Sequence, residues 1–311
     1  MSSPRVGIVI LSWNSPDQVH ACLKSLKKLI YPEFSVLVLD NGSSPESRQR
    51  LKQDWPSEVE LLEIAENLGF AGGVKHALSH LLMQGGRDYY LLLNDDAELS
   101  PEALTEMVKA MEENPKIGIA GPLIRAGSDS PTGFIAEGSV SLWTGGTPFS
   151  YVEPTAEVAR CRMIHGCCFL IKHQVVDRVG LLDDSYFAYY EESDYCVRAA
   201  RAGFELAVVK KARIFHEGGA TMKKVSRLKE YLMLRNRLWF VRKNGNVFQF
   251  LSTLGFVVAV QIPRRALRLA LSRRWDLLPI LLLAIRDGLS AGGVELIREL
   301  QKPGIRKSPA A

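Results

Sequence analysis

Short, largely apolar runs recur through the first 120 residues, at 6–11, 34–39, 59–64, 89–93 and 117–121. Each lacks the apolar–polar alternation of a strand with one wet face, so each reads as a strand buried on both faces. Between them lie helical patterns at 17–29, after Ser43 through 51, at 72–83 and at 101–113. Parallel strands need crossovers of this kind, which predicts a doubly wound, Rossmann-like α/β fold with a mostly parallel sheet flanked by helices. Ligands in such sheets bind beyond the carboxyl ends of the strands. There the chain carries Ser12-Trp13-Asn14, Asp40-Asn41-Gly42-Ser43, the loop 67–73 and Asn94-Asp95-Asp96, so four polar clusters should line one edge.

Residues 125–160 are rich in Gly, Ser, Thr and Pro and predict an irregular insertion or hairpin; 161–216 return to mixed α/β character. From about Thr221 the chain is helical and basic. Residues 1–209 hold 18 Lys and Arg against 28 Asp and Glu, whereas 210–311 hold 21 against six. The expected organisation is a nucleotide-binding and catalytic domain over 1–220 and a C-terminal helical region over 221–311. Its basic face suits an anionic partner, and alternating basic and apolar helices suit peripheral membrane contact. The apolar stretches 247–262 and 277–285 each fall short of a span; a helical cap or a dimer interface is the other reading. No nucleic-acid motif is present, so no nucleic-acid partner is expected. Five cysteines without a C-x-x-C pair suit a reducing compartment, and the opening segment lacks the layout of a secretory signal. A cytoplasmic location at the inner face of the cell membrane follows as the expectation.

The adjacent carboxylates Asp95 and Asp96 repel one another, which a divalent cation between them and an anionic ligand would relieve. A solvated capping turn would also tolerate them. Asp40 is placed to accept from a base N–H, and Gly69, Gly72 and Gly73 let backbone amides approach an anion at a helix start. A second acidic cluster, Glu191-Glu192-Ser193-Asp194, sits among aromatic rings that desolvate it and favour a general base. Pairing of Glu191 or Asp194 with Arg198 is the structural alternative. His216 follows a strand and is either a packed residue or a further metal ligand.

In this order the motifs Ser12-Trp13-Asn14, Leu39-Asp40-Asn41-Gly42-Ser43, Asn67-Leu68-Gly69-Phe70-Ala71-Gly72-Gly73, Leu93-Asn94-Asp95-Asp96, Glu191-Glu192-Ser193-Asp194 and His216 resemble family 2 glycosyltransferases of the GT-A fold. The bacterial rhamnosyltransferases of cell-surface polysaccharide synthesis look most similar, and Arg286-Asp287-Gly288-Leu289 also looks like that subgroup. The resemblance implies a nucleoside-diphosphate sugar donor (dTDP- or UDP-linked, with rhamnose as the candidate sugar) and a glycan or lipid-linked acceptor. It implies inversion in a single displacement. Asp96 and His216 would hold Mg2+ or Mn2+. Glu192 would be the base, with Asp194 the next candidate. Ser12, Asn14, Asp40, Asn67, Gly69, Gly73, Lys75 and Asp95 would form the donor site. Four positions depart from the family: Glu192 replaces the usual Asp, Val74 and Lys75 replace Asn residues, and Asn94 takes the first acidic position of the turn. The competing readings are a nucleotide-sugar-forming nucleotidyltransferase and a non-catalytic membrane-bound scaffold.

Overall fold

The computed structural model describes residues 3–126, 132–216, 226–290 and 292–301. The chain divides into two compact units, one of residues 1–140 and 147–220, the other of 141–146 and 221–311.

The first unit is built on one sheet. Strands β1 (Val6–Ser12), β2 (Phe34–Asn41), β3 (Val59–Ile64) and β4 (Tyr89–Asn94) alternate with helices α1 (Pro16–Leu26), α2 (Pro45–Leu51) and α3 (Gly69–Gln84). Then come β5 (Ala97–Leu99), α4 (Ala103–Glu113), β6 (Ile117–Ala126), β7 (Phe134–Ile135), β8 (Val158–Cys161), β9 (Cys168–Lys172), α5 (His173–Val179), α6 (Glu191–Arg201) and β10 (Glu205–His216). The strand order is β3-β2-β1-β4-β9-β6-β10-β5, with β7 on β6 and β8 on β10. Pairings among β1, β2, β3 and β4 are parallel, as is β6 with β10, while β9 runs antiparallel between β4 and β6.

Alternate residues of each strand enter opposite cores, which is why the runs are largely apolar. Ile8, Val38 and Leu91 pack on one face with Val19 and Leu23 of α1 and Met107 of α4. Val9, Leu37 and Leu92 pack on the other with Leu78 of α3 and Tyr195 of α6.

Several boundaries differ from the periodicity. Strand β6 runs on to Ala126, since Leu123 and Ile124 continue the buried pattern past Pro122. The apolar run 207–209 and the pair Ile214-Phe215 belong to one strand, β10, whose register on β6 shifts between Val209 and Arg213. The expected insertion contributes the short strands β7 and β8.

In the second unit, α7 (Ser226–Asn244) packs on α10 (Leu278–Ser290). Helix α8 (Val247–Phe256) passes through a π-turn at Val257–Gln261 into α9 (Ile262–Leu271). Hence 247–271 is one 25-residue helix, long and apolar enough by length and composition to cross a membrane, where the sequence suggested a run that stops near 262. Helix α11 (Val294–Gln301) closes the described chain. Asp287, in the motif noted at the tail, is buried and accepts from Tyr231 Oη and Arg286 Nε, each at 2.7 Å. That motif is part of this unit's interior.

Candidate functional site

The reversal after β4 builds the centre of the site. The chain turns at Asp95 and Asp96, and β5 runs back antiparallel to the end of β10, with His216 opposite Ala97. Residues 120 positions apart in sequence thereby meet: Asp96 Oδ1 lies 3.1 Å from His216 Nε2. Both side chains are buried, and beyond each other neither atom has a hydrogen-bond partner. Burial alone would raise the Asp96 carboxyl, but His216 outweighs it and holds the group below its ordinary value.

This pair fits a divalent cation. Adjacent ligands of an octahedral ion at about 2.1 Å are separated by about 3 Å, and these two buried, otherwise unpartnered donors are 3.1 Å apart. Asn94 Oδ1, at the end of β4, is also buried without a partner. Among the described residues no group of three or more His, Cys, Asp or Glu side chains is gathered for a metal. A cation held here therefore needs further oxygens from a ligand.

A loop from the next strand covers this pair. Asn94 N–H donates to Cys167 O at 2.8 Å, which ties the turn to the segment leading into β9. That tie brings the His165 ring edge-on to His216, with centroids 5.6 Å apart, and against Phe149 at 5.0 Å. Cys167 N–H donates to His165 Nδ1 at 3.1 Å, so the ring proton sits on Nε2. Burial, with the neighbouring His216, pushes the His165 pKa down to about 3, which keeps the ring a neutral donor. Nothing in the sequence spacing marked His165. It is legible only from β9 inserting beside β4.

The same loop touches the second acidic cluster. Gly166 lies against the side chain of Glu192, 3.4 Å from a methyl position on Gly166 to Glu192 Cγ. Glu191 is buried and its Oε2 has no hydrogen-bond partner. Burial raises both carboxyls above their ordinary value, and the charge of Glu192 raises Glu191 further. Asp194 does not share this environment. It is fully buried and accepts from Arg198 Nε at 2.7 Å and Tyr186 Oη at 3.2 Å. Arg198 also donates to Val179 O and Leu181 O, at 2.8 and 3.0 Å. This i,i+4 pair anchors α6 to the segment before it, which is the structural alternative for Asp194.

The other sequence-selected residues gather at the carboxyl ends of β1 and β2. Ser12 and Asp40 are opposite each other in register. Asp40 is fully buried, with Oδ2 accepting from Arg48 Nε at 2.5 Å and Oδ1 from Ser43 N at 3.1 Å. Asn14 clamps the two loops: its N–H donates to Ser43 Oγ at 2.9 Å, and its Oδ1 accepts from Ser44 N at 2.8 Å. Asn67 Oδ1 accepts from Asn41 Nδ2 at 3.0 Å and Gly69 N at 2.8 Å. Asn41, which sequence reasoning passed over, also donates to Gly69 O and accepts from Leu68 N, each at 3.0 Å.

Four of the expected donor residues already have neighbours within the protein. Gly69 and Gly73 face protein, not an open cradle. A Cβ on Gly69, at φ +74°, would meet Phe187 at 2.4 Å, and one on Gly73 would meet Leu11 at 2.5 Å. These glycines allow α3 to start close against its neighbours. Lys75 pairs with Asp184 at 2.9 Å. Asp95 is buried inside its turn and accepts from the Ser15 hydroxyl; burial pushes its carboxyl up to about 7, Ser15 opposing and Asp96 adding.

Comparison with known proteins identifies the family. The pattern of the family named Glycosyl transferase family 2 matches residues 7–180, more than half the chain. The low-salt glycan biosynthesis hexosyltransferase Agl10 of Haloferax volcanii is 27% identical over 238 residues, covering 75% of this chain and 74% of its own. The N-acetylglucosaminyl-diphospho-decaprenol L-rhamnosyltransferase of Mycobacterium tuberculosis is 28% identical over 233 residues, covering 67% and 75%. Among solved structures, the mannosyltransferase of Pyrobaculum calidifontis in complex with GDP-Man and Mn2+ superposes with a TM-score of 0.56 at 16% identity, over 93% of this chain and 88% of that one. TarS of S. aureus (residues 1–349) gives 0.56 at 15%, over 95% and 83%. The strand order, the Asp96–His216 pair at the sheet edge and these matches together make the chain a glycosyltransferase, a member of glycosyl transferase family 2.

Proposed function

We propose that this glycosyltransferase moves a hexose, rhamnose being the candidate, from a dTDP- or UDP-linked donor to a hydroxyl of a lipid-linked glycan acceptor, with inversion, in cell-envelope polysaccharide assembly. One observation carries the reading: the loop 165–167 links an otherwise unpartnered, buried Asp96–His216 pair to the carboxyls of a buried Glu191 and a half-buried Glu192. The relatives whose names speak of glycan biosynthesis and of rhamnosyl transfer to a diphospho-decaprenol acceptor support the choice of acceptor class and sugar.

Asp96 and His216 would hold Mg2+ or Mn2+, which supplies positive charge to the leaving diphosphate. Glu192 takes the proton from the acceptor hydroxyl. The acceptor oxygen bonds to the anomeric carbon from the face opposite the diphosphate, and the diphosphate oxygen leaves with the electron pair of the broken bond. A carboxyl raised by burial suits this task, because its basicity lies nearer to neutral pH. Glu191, its own carboxyl raised further by the charge of Glu192, sits beside it. His165 Nε2–H adds a neutral donor beside Asp96 and His216. The pyrimidine is placed at the ends of β1 and β2. Asp40 would accept its imide N–H alongside Arg48 and Ser43, since each carboxylate oxygen has a second lone pair. The enzyme works at the inner face of the cell membrane, where a lipid-linked acceptor is presented.

The test is a transfer assay across dTDP-rhamnose and UDP-hexoses, with and without Mn2+, paired with calorimetric titration of each nucleoside diphosphate. Metal-dependent transfer from one donor is the expected result. Absence of donor binding under every condition would overturn the reading.

A further inference from the structure

We propose that the outer side of the helix Val247–Leu271 is a lipid-binding face that lies in the plane of an anionic bilayer surface. It names the surface behind the membrane location proposed above.

Val247, Leu251 and Val258 (i, i+4 and i+11) fall on one side of α8 and the π-turn that follows it, with Phe248 beside them, and all are exposed, Phe248 by 70% and Leu251 by 57%. The opposite side is committed to the unit. Thr253 and Val257 are fully buried, and Thr253 Oγ1 donates to Leu142 O at 3.1 Å. The π-turn at Val257–Gln261 holds an extra residue, which re-phases the helix. Beyond it Leu269 turns inward at 5% exposed, while Leu267 and Leu271 stand outward at 61% and 78%. Trp275, just past the helix, is 60% exposed. An apolar stripe this long, solvated in isolation, is the mark of a binding surface.

Charge selects the occupant. Arg264 and Arg268 sit beside Leu267 and Leu271 on the exposed side of α9, and Arg273 follows. Arg268 pairs with Glu230 at 2.6 Å, but Arg264 and Arg273 have no ion-pair partner among the described residues. Guanidinium groups flanking exposed leucines, with a tryptophan at the edge, match the boundary between acyl chains and anionic headgroups. A second copy fits less well. A two-fold interface along this side would bring Arg264 and Arg273 up against the same basic stripe.

The helix lies in the surface and does not cross it. Its uncharged part, residues 247–263, extends about 25 Å at 1.5 Å per residue, short of a hydrocarbon core of about 30 Å. Arg264 and Arg265 come next. A crossing helix would also face lipid all round, whereas Thr253, Val257 and Leu269 are taken up inside the unit.

The full chain would be floated with vesicles of phosphatidylcholine alone or with about one-third phosphatidylglycerol. Binding is expected only to the anionic vesicles, weakened by salt and reversed by alkaline carbonate. Phe248→Asp combined with Leu251→Asp, at two mostly exposed positions, should lower the bound fraction about tenfold or more with little change in melting temperature. Arg264→Glu with Arg273→Glu should remove the preference for anionic vesicles. Three results would overturn the proposal: equal binding of the Asp variant, resistance to carbonate extraction, or a dimer in size-exclusion chromatography that the Asp variant dissolves. None of these residues takes part in the transfer site, so vesicle binding and transfer activity can fail independently.

Discussion

Replacing Asp194 by Asn keeps the side chain's size and removes its charge. The wild-type carboxylate is fully buried and accepts from Arg198 at 2.7 Å, and the Arg198 side chain is itself only 22% exposed. The substitution strands a largely buried guanidinium, which costs about 3 kcal/mol, the lower end for breaking a buried pair because Arg198 retains its two carbonyl acceptors. For a domain of this size each kcal/mol moves the midpoint by about 2–4 °C, so Asp194→Asn should melt about 6–12 °C lower. Glu192→Gln should behave in the opposite way. It deletes a charge that burial already disfavours, so the midpoint should hold or rise. Differential scanning fluorimetry gives both midpoints. Single-turnover transfer, measured well below the lower midpoint, should then find Asp194→Asn active and Glu192→Gln inactive. An unchanged midpoint for Asp194→Asn together with lost transfer would refute the assignment and move the base to Asp194.

Glu192→Gln should bind donor nucleotide normally by calorimetry while transfer falls by about 10²–10⁴-fold. The wild-type rate should rise with pH through an ionisation above the ordinary carboxylate range, because the base works deprotonated and burial raises its pKa; stopped assays across pH would show the limb. Glu191→Gln should stabilise the protein above about pH 4.3, where the unfolded carboxyl has ionised but the folded one, raised by burial, has not. Wild-type stability declines across that window as pH rises, so the midpoint gain should grow from acid to neutral pH and vanish below it. Asp96→Ala should abolish the Mn2+ enhancement of nucleoside-diphosphate binding in the same titration, while leaving any metal-free binding in place.

The strand positions and the edge they define were legible because the runs of β1, β2 and β4 are buried almost throughout, a local property of six or so residues, while the edge strand β3 is only partly buried. Ser12, Asp40, Asn67 and Asp96 could be placed at that edge from strand polarity alone. What the side chains do there was less legible. Asn14 and Asn67 are the right type for a ligand, yet they spend their hydrogen bonds holding loops together. Gly69 and Gly73 are the right type for an anion cradle, yet their missing Cβ atoms admit Phe187 and Leu11. Local sequence fixes neither outcome, since both depend on segments that arrive from far along the chain.

The least legible element is also the one that joins the site. Strand β9 enters antiparallel between β4 and β6, so residues just before it must cross the carboxyl end of β4. The bond from Asn94 N–H to Cys167 O then fixes where His165 and Gly166 lie. His165 meets His216, and Gly166 gives the room that Glu192 occupies, its methyl position already in contact with that side chain. A single antiparallel insertion thus brings one loop against residues of both acidic motifs. No periodicity could reveal this, because the ordering principle is strand insertion between sequence-distant neighbours.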